Sequence, residues 1–196
     1  MKQFFAIGLL PLFLAFGFIN TNNTAPTGEI KSSTIEWKGY KVTGSHYGNI
    51  DIQSGKLQFD DNGALTGGKI VIDMNSITSS DLTGAYNGKL IGHLKSDDFF
   101  GVATYPTATL EITNVAAKGT PGDYKVTADL TIKNTTKSIK FYTNISDNDG
   151  MKVATADMKI DRSEYNVKYG SGSFFDNLGD KTIYDEFDIN VKLVVE

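Results

Sequence analysis

The side chains that could do chemistry are few. The 196 residues contain two histidines, His46 and His93, and no cysteine. That inventory excludes a thiol nucleophile, disulfide staples, iron–sulfur ligation and a three-histidine metal site. It also removes the cysteine on which a lipoprotein anchor would be built. No Gly-x-Ser-x-Gly elbow is present, and neither histidine flanks a serine in a recognisable triad arrangement. His46 lies in the glycine-bounded corner Thr43-Gly44-Ser45-His46-Tyr47-Gly48 and reads first as a hydrogen-bonded turn residue. His93 falls in a stretch of helical spacing, where it either faces a barrel mouth or bonds a loop carbonyl. Asp147-Asn148-Asp149-Gly150 resembles the start of a calcium loop. Aligning its glycine, however, puts Ile145 and Ala156 at ligand positions, so the segment is a hairpin turn. Asp97-Asp98 and Asp185-Glu186 are adjacent carboxylates, which in a strand point to opposite faces and do not converge on one cleft. Asp185 alone stands in an otherwise apolar register. No cofactor and no metal site is expected.

The elements that must position these residues are strands. Past Lys31 the apolar residues recur with a period of two. Ile70, Ile72 and Met74 share one face; Tyr124, Val126, Ala128, Leu130 and Ile132 another; Ile139, Phe141, Thr143 and Ile145 a third. Ala154, Ala156, Met158 and Ile160 form a fourth, and Ile183 through Val195 alternate on a fifth. Such alternation marks antiparallel strands with one face buried and one in water. Asp60-Asp61-Asn62-Gly63, Pro121-Gly122-Asp123 and Asp147-Asn148-Asp149-Gly150 supply the turn chemistry between them. The pattern predicts eight strands, at 33–43, 48–60, 64–74, 107–115, 123–133, 137–147, 152–161 and 182–195. Eight is the number at which an up-and-down barrel closes around its side chains or one small ligand. Leu90, Ile91 and Leu94 predict one short helix over 86–96, with Ser79, Ser80 and Asp81 as candidate N-caps. The glycine-rich loop Tyr169 to Lys181 carries the unusual apolar pair Phe174-Phe175.

Several inward faces mix small residues with large ones, as with Ala108, Ala128, Ala154 and Ala156. In a closed barrel that leaves volume. Either Phe59, Phe141 and Phe187 fill it, or a ligand does. At the other end of the chain, Met1-Lys2-Gln3 precedes an apolar run from Phe4 to Ile19 broken by Gly8, Pro11 and Gly17. The run is shorter than the ~20 residues of a spanning helix, so 1–22 reads as a secretory signal peptide. Residues 23–32 read as a flexible lead-in, and 33–196 as the folded domain. The formal charge of -4 disfavours nucleic acid as a partner.

Four segments carry a resemblance. Lys89 to Phe100 followed by Tyr105 to Leu110, Trp37 to His46, Asp129 to Lys137, and Ile160 to Asn166 together resemble the YceI-like family. The resemblance implies a lipocalin-like antiparallel barrel around an apolar tunnel, secretion to the periplasm, and a polyisoprenoid or other extended lipid as ligand. Two departures stand out. Asn134 occupies a usual glycine position, expected to be tolerated in a left-handed turn, and Tyr165-Asn166 replaces the usual Phe-Gly.

The resulting expectation is a periplasmic or secreted all-β carrier or storage protein for a polyisoprenoid, isoprenoid quinone or fatty-acid-type lipid. Its expected wall residues are Trp37, Ile72, Met74, Leu94, Phe99, Leu110, Leu130, Phe141, Met158 and Phe187. His93, Arg162 and Tyr165 are expected at the head group. Transient membrane contact and a homodimer are compatible with this reading. The alternatives are a secreted barrel enzyme or isomerase, which needs His46 or His93 beside an aspartate, and a solidly packed stress or adhesion module.

Overall fold

A computed structural model describes residues 26–196; the segment read as a signal peptide lies outside them. The strands are β1 (Thr27–Lys41), β2 (Gly44–Asn49), β3 (Asp51–Phe59), β4 (Leu65–Asp73), β5 (Thr107–Ala117), β6 (Asp123–Ile132), β7 (Thr135–Asn148), β8 (Met151–Asp161) and β9 (Ile183–Val195), with helix α1 at Gly84–Lys95. All neighbours are antiparallel, and β1 pairs with β9 to close the sheet. β2 and β3 are one strand kinked at Ile50. Both pair with β1, which meets Asn49 at Glu36 and Lys56 at Glu29, a constant offset. Counted so, the barrel has eight strands.

Strand structure begins inside the segment expected as a lead-in. Thr27 to Ser32 already belong to β1, where Thr27 pairs with Gln58 and Ile30 with Val195. The turns follow the residues that favour them. Asp149 and Gly150 both take positive φ (50° and 81°) between paired Asn148 and Met151, the pattern of a type I′ hairpin. Asn134 is a correction: the positive φ of the Ile132–Thr135 hairpin belongs to Lys133 (56°). Asn166 does adopt the left-handed conformation (φ 62°), which is why asparagine can replace glycine there.

Helix α1 lies at the end of the barrel where β4 and β8 finish and β5 and β9 begin. Its N-cap position is Thr83, which makes no side-chain cap bond. Asp81, read as a candidate cap, instead accepts hydrogen bonds from Ser79 Oγ and the Tyr47 backbone N–H and pairs with His46. After the short 3-10 turn at Met74–Ser76, the chain runs along β2, with Thr78 N–H donating to Asn49 O and Ser80 N–H to Tyr47 O. Gly48 permits this close approach, because a Cβ there would stand 1.9 Å from Thr78 O.

Candidate functional site: an apolar cavity along the barrel

The alternating faces converge on one internal cavity of about 220 Å³. Its walls are almost wholly hydrocarbon and draw on every strand except β2. From the far end to the helix end, the lining passes from Leu65 and Leu193 through Val191 and Met158 to Phe99 and Arg162. Both ends are stoppered. At the far end Phe59 (5% exposed), Tyr124 (9%) and Val195 (1%) bury together, and the Leu65 N–H donates to Tyr124 Oη at 3.3 Å. At the helix end Leu94, Phe99 and Val102 are buried. Their loop is tied to α1 by Phe100 N–H to Leu94 O and Val102 N–H to Lys95 O.

The structure places Trp37, Ile72, Met74, Leu94, Phe99, Leu110, Leu130, Phe141, Met158, Arg162 and Phe187 on the cavity wall. His93 and Tyr165 lie off it. The His93 ring is wedged edge-on against Tyr169 (4.3 Å between centroids) and Phe99 (5.6 Å). Its Nε2 is buried without a hydrogen-bond partner. Tyr165 is 1% exposed and its hydroxyl is likewise unpartnered; burial first, then Glu164 and Asp161, push its pKa up to about 12. Wall residues absent from the expected set, such as Ile35, Ile189, Val191 and Leu193, share the parity of chosen neighbours and were findable by that signal. Of the phenylalanines expected to fill the barrel, Phe59 packs into the stopper, while Phe141 and Phe187 border the void. The alanines divide in the same way. Ala108, Ala154 and Ala156 line the cavity, whereas Ala128 is fully buried in packed wall.

Among the described residues, Arg162 is the one charged side chain on the lining. It is 2% exposed, and its donors are largely committed: Nη1 to Val167 O (2.7 Å), Nη2 to Ile183 O (2.9 Å) and Nε to Tyr184 O (3.2 Å). Asp185, the lone carboxylate in an apolar register, is its counter-ion at 3.4 Å and accepts from Ser173 Oγ at 2.6 Å. Burial lowers the guanidinium pKa and the Asp185 and Asp161 carboxylates oppose that shift, so the charge is retained. The guanidinium also sits 5.2 Å from the centre of the Phe99 ring. Arg162 therefore ties the chain after β8 to the start of β9 while facing the cavity.

The histidine–aspartate pair required by the enzyme alternative exists, but elsewhere. His46 Nδ1 lies 2.7 Å from Asp81 Oδ2, on β2 and the adjoining loop, and neither residue lines the cavity. Burial alone would raise the Asp81 pKa; hydrogen bonds from His46, the Tyr47 N–H and Ser79 outweigh it and hold the carboxyl below its usual range. Ser79 donates to the aspartate, so no base is aimed at its hydroxyl. Among the described residues, no three His, Asp or Glu side chains gather as a metal site.

A closed antiparallel barrel of eight strands, stoppered at both ends around an oily void, is the architecture of barrels built to enclose a small apolar guest. The sequence comparisons narrow this class. Residues 27–195 match the YceI-like domain model, and the chain belongs to that family. It is similar to a UPF0312 protein of Shewanella denitrificans, at 35% identity over 106 residues, 54% of this chain and 51% of that protein. It is also similar to Protein YceI of Escherichia coli, at 32% identity over 64% of this chain and 65% of that one. The matches span about half to two thirds of the length of these curated relatives. In fold it is similar to BcnA of Burkholderia cenocepacia, with TM-score 0.67, 24% identity, and 83% of this chain and 95% of that one covered. A polyisoprenoid binding domain from Saccharophagus degradans, implicated in plant cell wall breakdown, superposes with TM-score 0.64 at 16% identity, covering 88% of this chain and 98% of that domain.

Proposed function

We propose that the protein binds a long-chain amphiphile, a polyisoprenoid, isoprenoid quinone or fatty-acid-type lipid, with its tail along the barrel axis, for carriage or storage outside the cytoplasm. The observation that carries this reading is the continuous hydrocarbon lining from Leu65 and Leu193 to Phe99. An apolar void left empty costs stability, and a buried methylene contributes about 0.8 kcal/mol. A cavity of ~150 Å³ holds one benzene; by that measure the void takes on the order of nine carbons as it stands. Longer tails are accommodated by rotation of flexible wall residues such as Met158. Among the described residues, the apolar lining leaves Arg162 as the one charged contact for a polar head group. The Saccharophagus domain of the same fold is named for polyisoprenoid binding, which supports the ligand class. The leader supports a periplasmic or secreted location. The aromatics exposed at the helix end, Tyr86, Tyr169, Phe174, Phe175 and Tyr184, support transient membrane contact.

Fluorescence titration with a homologous series of polyprenyl alcohols tests the reading. Affinity is expected to rise with each added isoprene unit until the barrel is filled, then level off. Affinity independent of tail length would overturn it.

A further inference from the structure

The ladders of the wall lapse in several places, among them between β1 and β3, where the buried Ile50 N–H still donates to the buried Ile35 carbonyl, and between β7 and β8 toward the helix end. We propose that the lipid tail enters sideways through the β7–β8 gap, whose lips are only partly buried; this rests on the lipid-binding reading above. β7 begins at Thr135 and β8 ends at Asp161, yet their ladder runs only from Asn148↔Met151 to Tyr142↔Asp157. Toward the helix end, residues 135–141 and 158–161 have no partner across the seam. The ladder between the two strands ends at the Tyr142–Asp157 pair. The flanking ladders are intact at the same height, with β6 and β7 paired through Ile132↔Thr135 and β8 and β9 through Asp161↔Glu186. The gap is therefore local. It forms a slot about four residues, or about 13 Å, long. Below it stands the Tyr142–Asp157 pair, and above it the 3-10 turn Arg162–Tyr165, which packs against β7.

The lips of this slot border the cavity. Phe141 on β7 and Met158 and Ile160 on β8 all line it. Phe141 and Met158 are only partly buried, unlike the inward-facing residues of β6. The end-on routes are obstructed by comparison. One end is stoppered by Phe59, Tyr124 and Val195. The other is held by the bonds from Arg162 to Val167, Ile183 and Tyr184 and by the ties between α1 and the Phe99 loop. Parting the seam breaks none of these. A hydrocarbon chain needs only side-chain rotation there, and Met158 and Phe141 offer it an apolar threshold.

The absence of native cysteine makes the test clean. Extending the Tyr142–Asp157 register toward the mouth sets Lys140 opposite Lys159, both exposed and outside the cavity lining. The double variant Lys140→Cys/Lys159→Cys is bridged with a short bis-methanethiosulfonate, each cysteine thiolate displacing methanesulfinate to form a reducible disulfide, and uptake of a fluorescent polyene fatty acid is followed by stopped flow. The expected result is at least a tenfold slower uptake in the bridged protein, restored on reduction, with the unbridged variant at the wild-type rate. Uptake unchanged by the bridge would overturn the side route while leaving lipid binding intact. Failure of the unbridged protein to take up any of the probe would instead refute the lipid-binding reading itself.

Discussion

Two alanines on strands that flank β7 should respond in opposite ways to the same change. Ala156 on β8 lines the cavity and is partly buried; Ala128 on β6 is fully buried and borders no void. Ala156→Phe introduces a phenyl ring into a space of about 220 Å³. A benzene-sized group needs ~150 Å³, so the ring takes about two thirds of the void. Burial of the ring gains roughly 1.5–3 kcal/mol and strain in refitting returns ~1–3 kcal/mol, so stability should change little. Binding should collapse: displacing about six carbons at about 0.8 kcal/mol each forfeits roughly 5 kcal/mol, or on the order of 3,000-fold in affinity. Ala128→Phe has no space to use and should destabilise the fold by ~1–3 kcal/mol through overpacking. Urea denaturation measures the stabilities, and titration with a fluorescent polyene fatty acid measures the affinities. If Ala156→Phe proves as destabilising as Ala128→Phe and still binds lipid at the wild-type level, the void is misplaced and the reasoning fails.

Tyr165→Phe should raise stability at neutral pH by about 1 kcal/mol, because it removes a buried hydroxyl with no partner. It should also flatten the alkaline limb. With a folded pKa of about 12 against 10.0, the wild type keeps this group's contribution below pH 10 and loses up to ~2.7 kcal/mol as pH rises through 12; a pH series of denaturation curves reads both effects. Arg162→Met strands Asp185 and three carbonyls and should cost ~3 kcal/mol, with faster proteolysis between Asn166 and Lys181. A variant as stable as the wild type would remove Arg162 from its tying role. Gly48→Ala drives a methyl group into Thr78 O and should cost ~2 kcal/mol, with faster amide exchange at Thr78 and Ser80; unchanged exchange would show that the close approach does not constrain this segment.

The inner surface was legible because strand parity is a local property. Ile72, Leu110, Leu130 and Phe187 each sit in an alternating run, and the barrel turns each run inward. What escaped was set by partners distant in sequence. Thr27 to Ser32 look like a polar lead-in, and only pairing with β3 and β9 makes them strand. The short β2, interrupted by Gly48, owes its place to β1 on one side and to Thr78 and Ser80 on the other. Ala128 and Ala156 carry the same local signal; cross-barrel packing alone decides which borders a void. The β7–β8 seam is invisible for the same reason, since Ile139 and Phe141 alternate there as in a fully bonded strand. Asp185 was visible as the misfit in an apolar register, but its partner Arg162 becomes evident only once β8 and β9 lie side by side.

Native mass spectrometry of the protein, purified without detergent from the organism that makes it, tests the hollow-barrel account most directly. The account predicts a one-to-one complex with a lipid of several hundred daltons that Ala156→Phe abolishes. Protein that is uniformly ligand-free, and stays so after incubation with polyprenyl lipids, would contradict it.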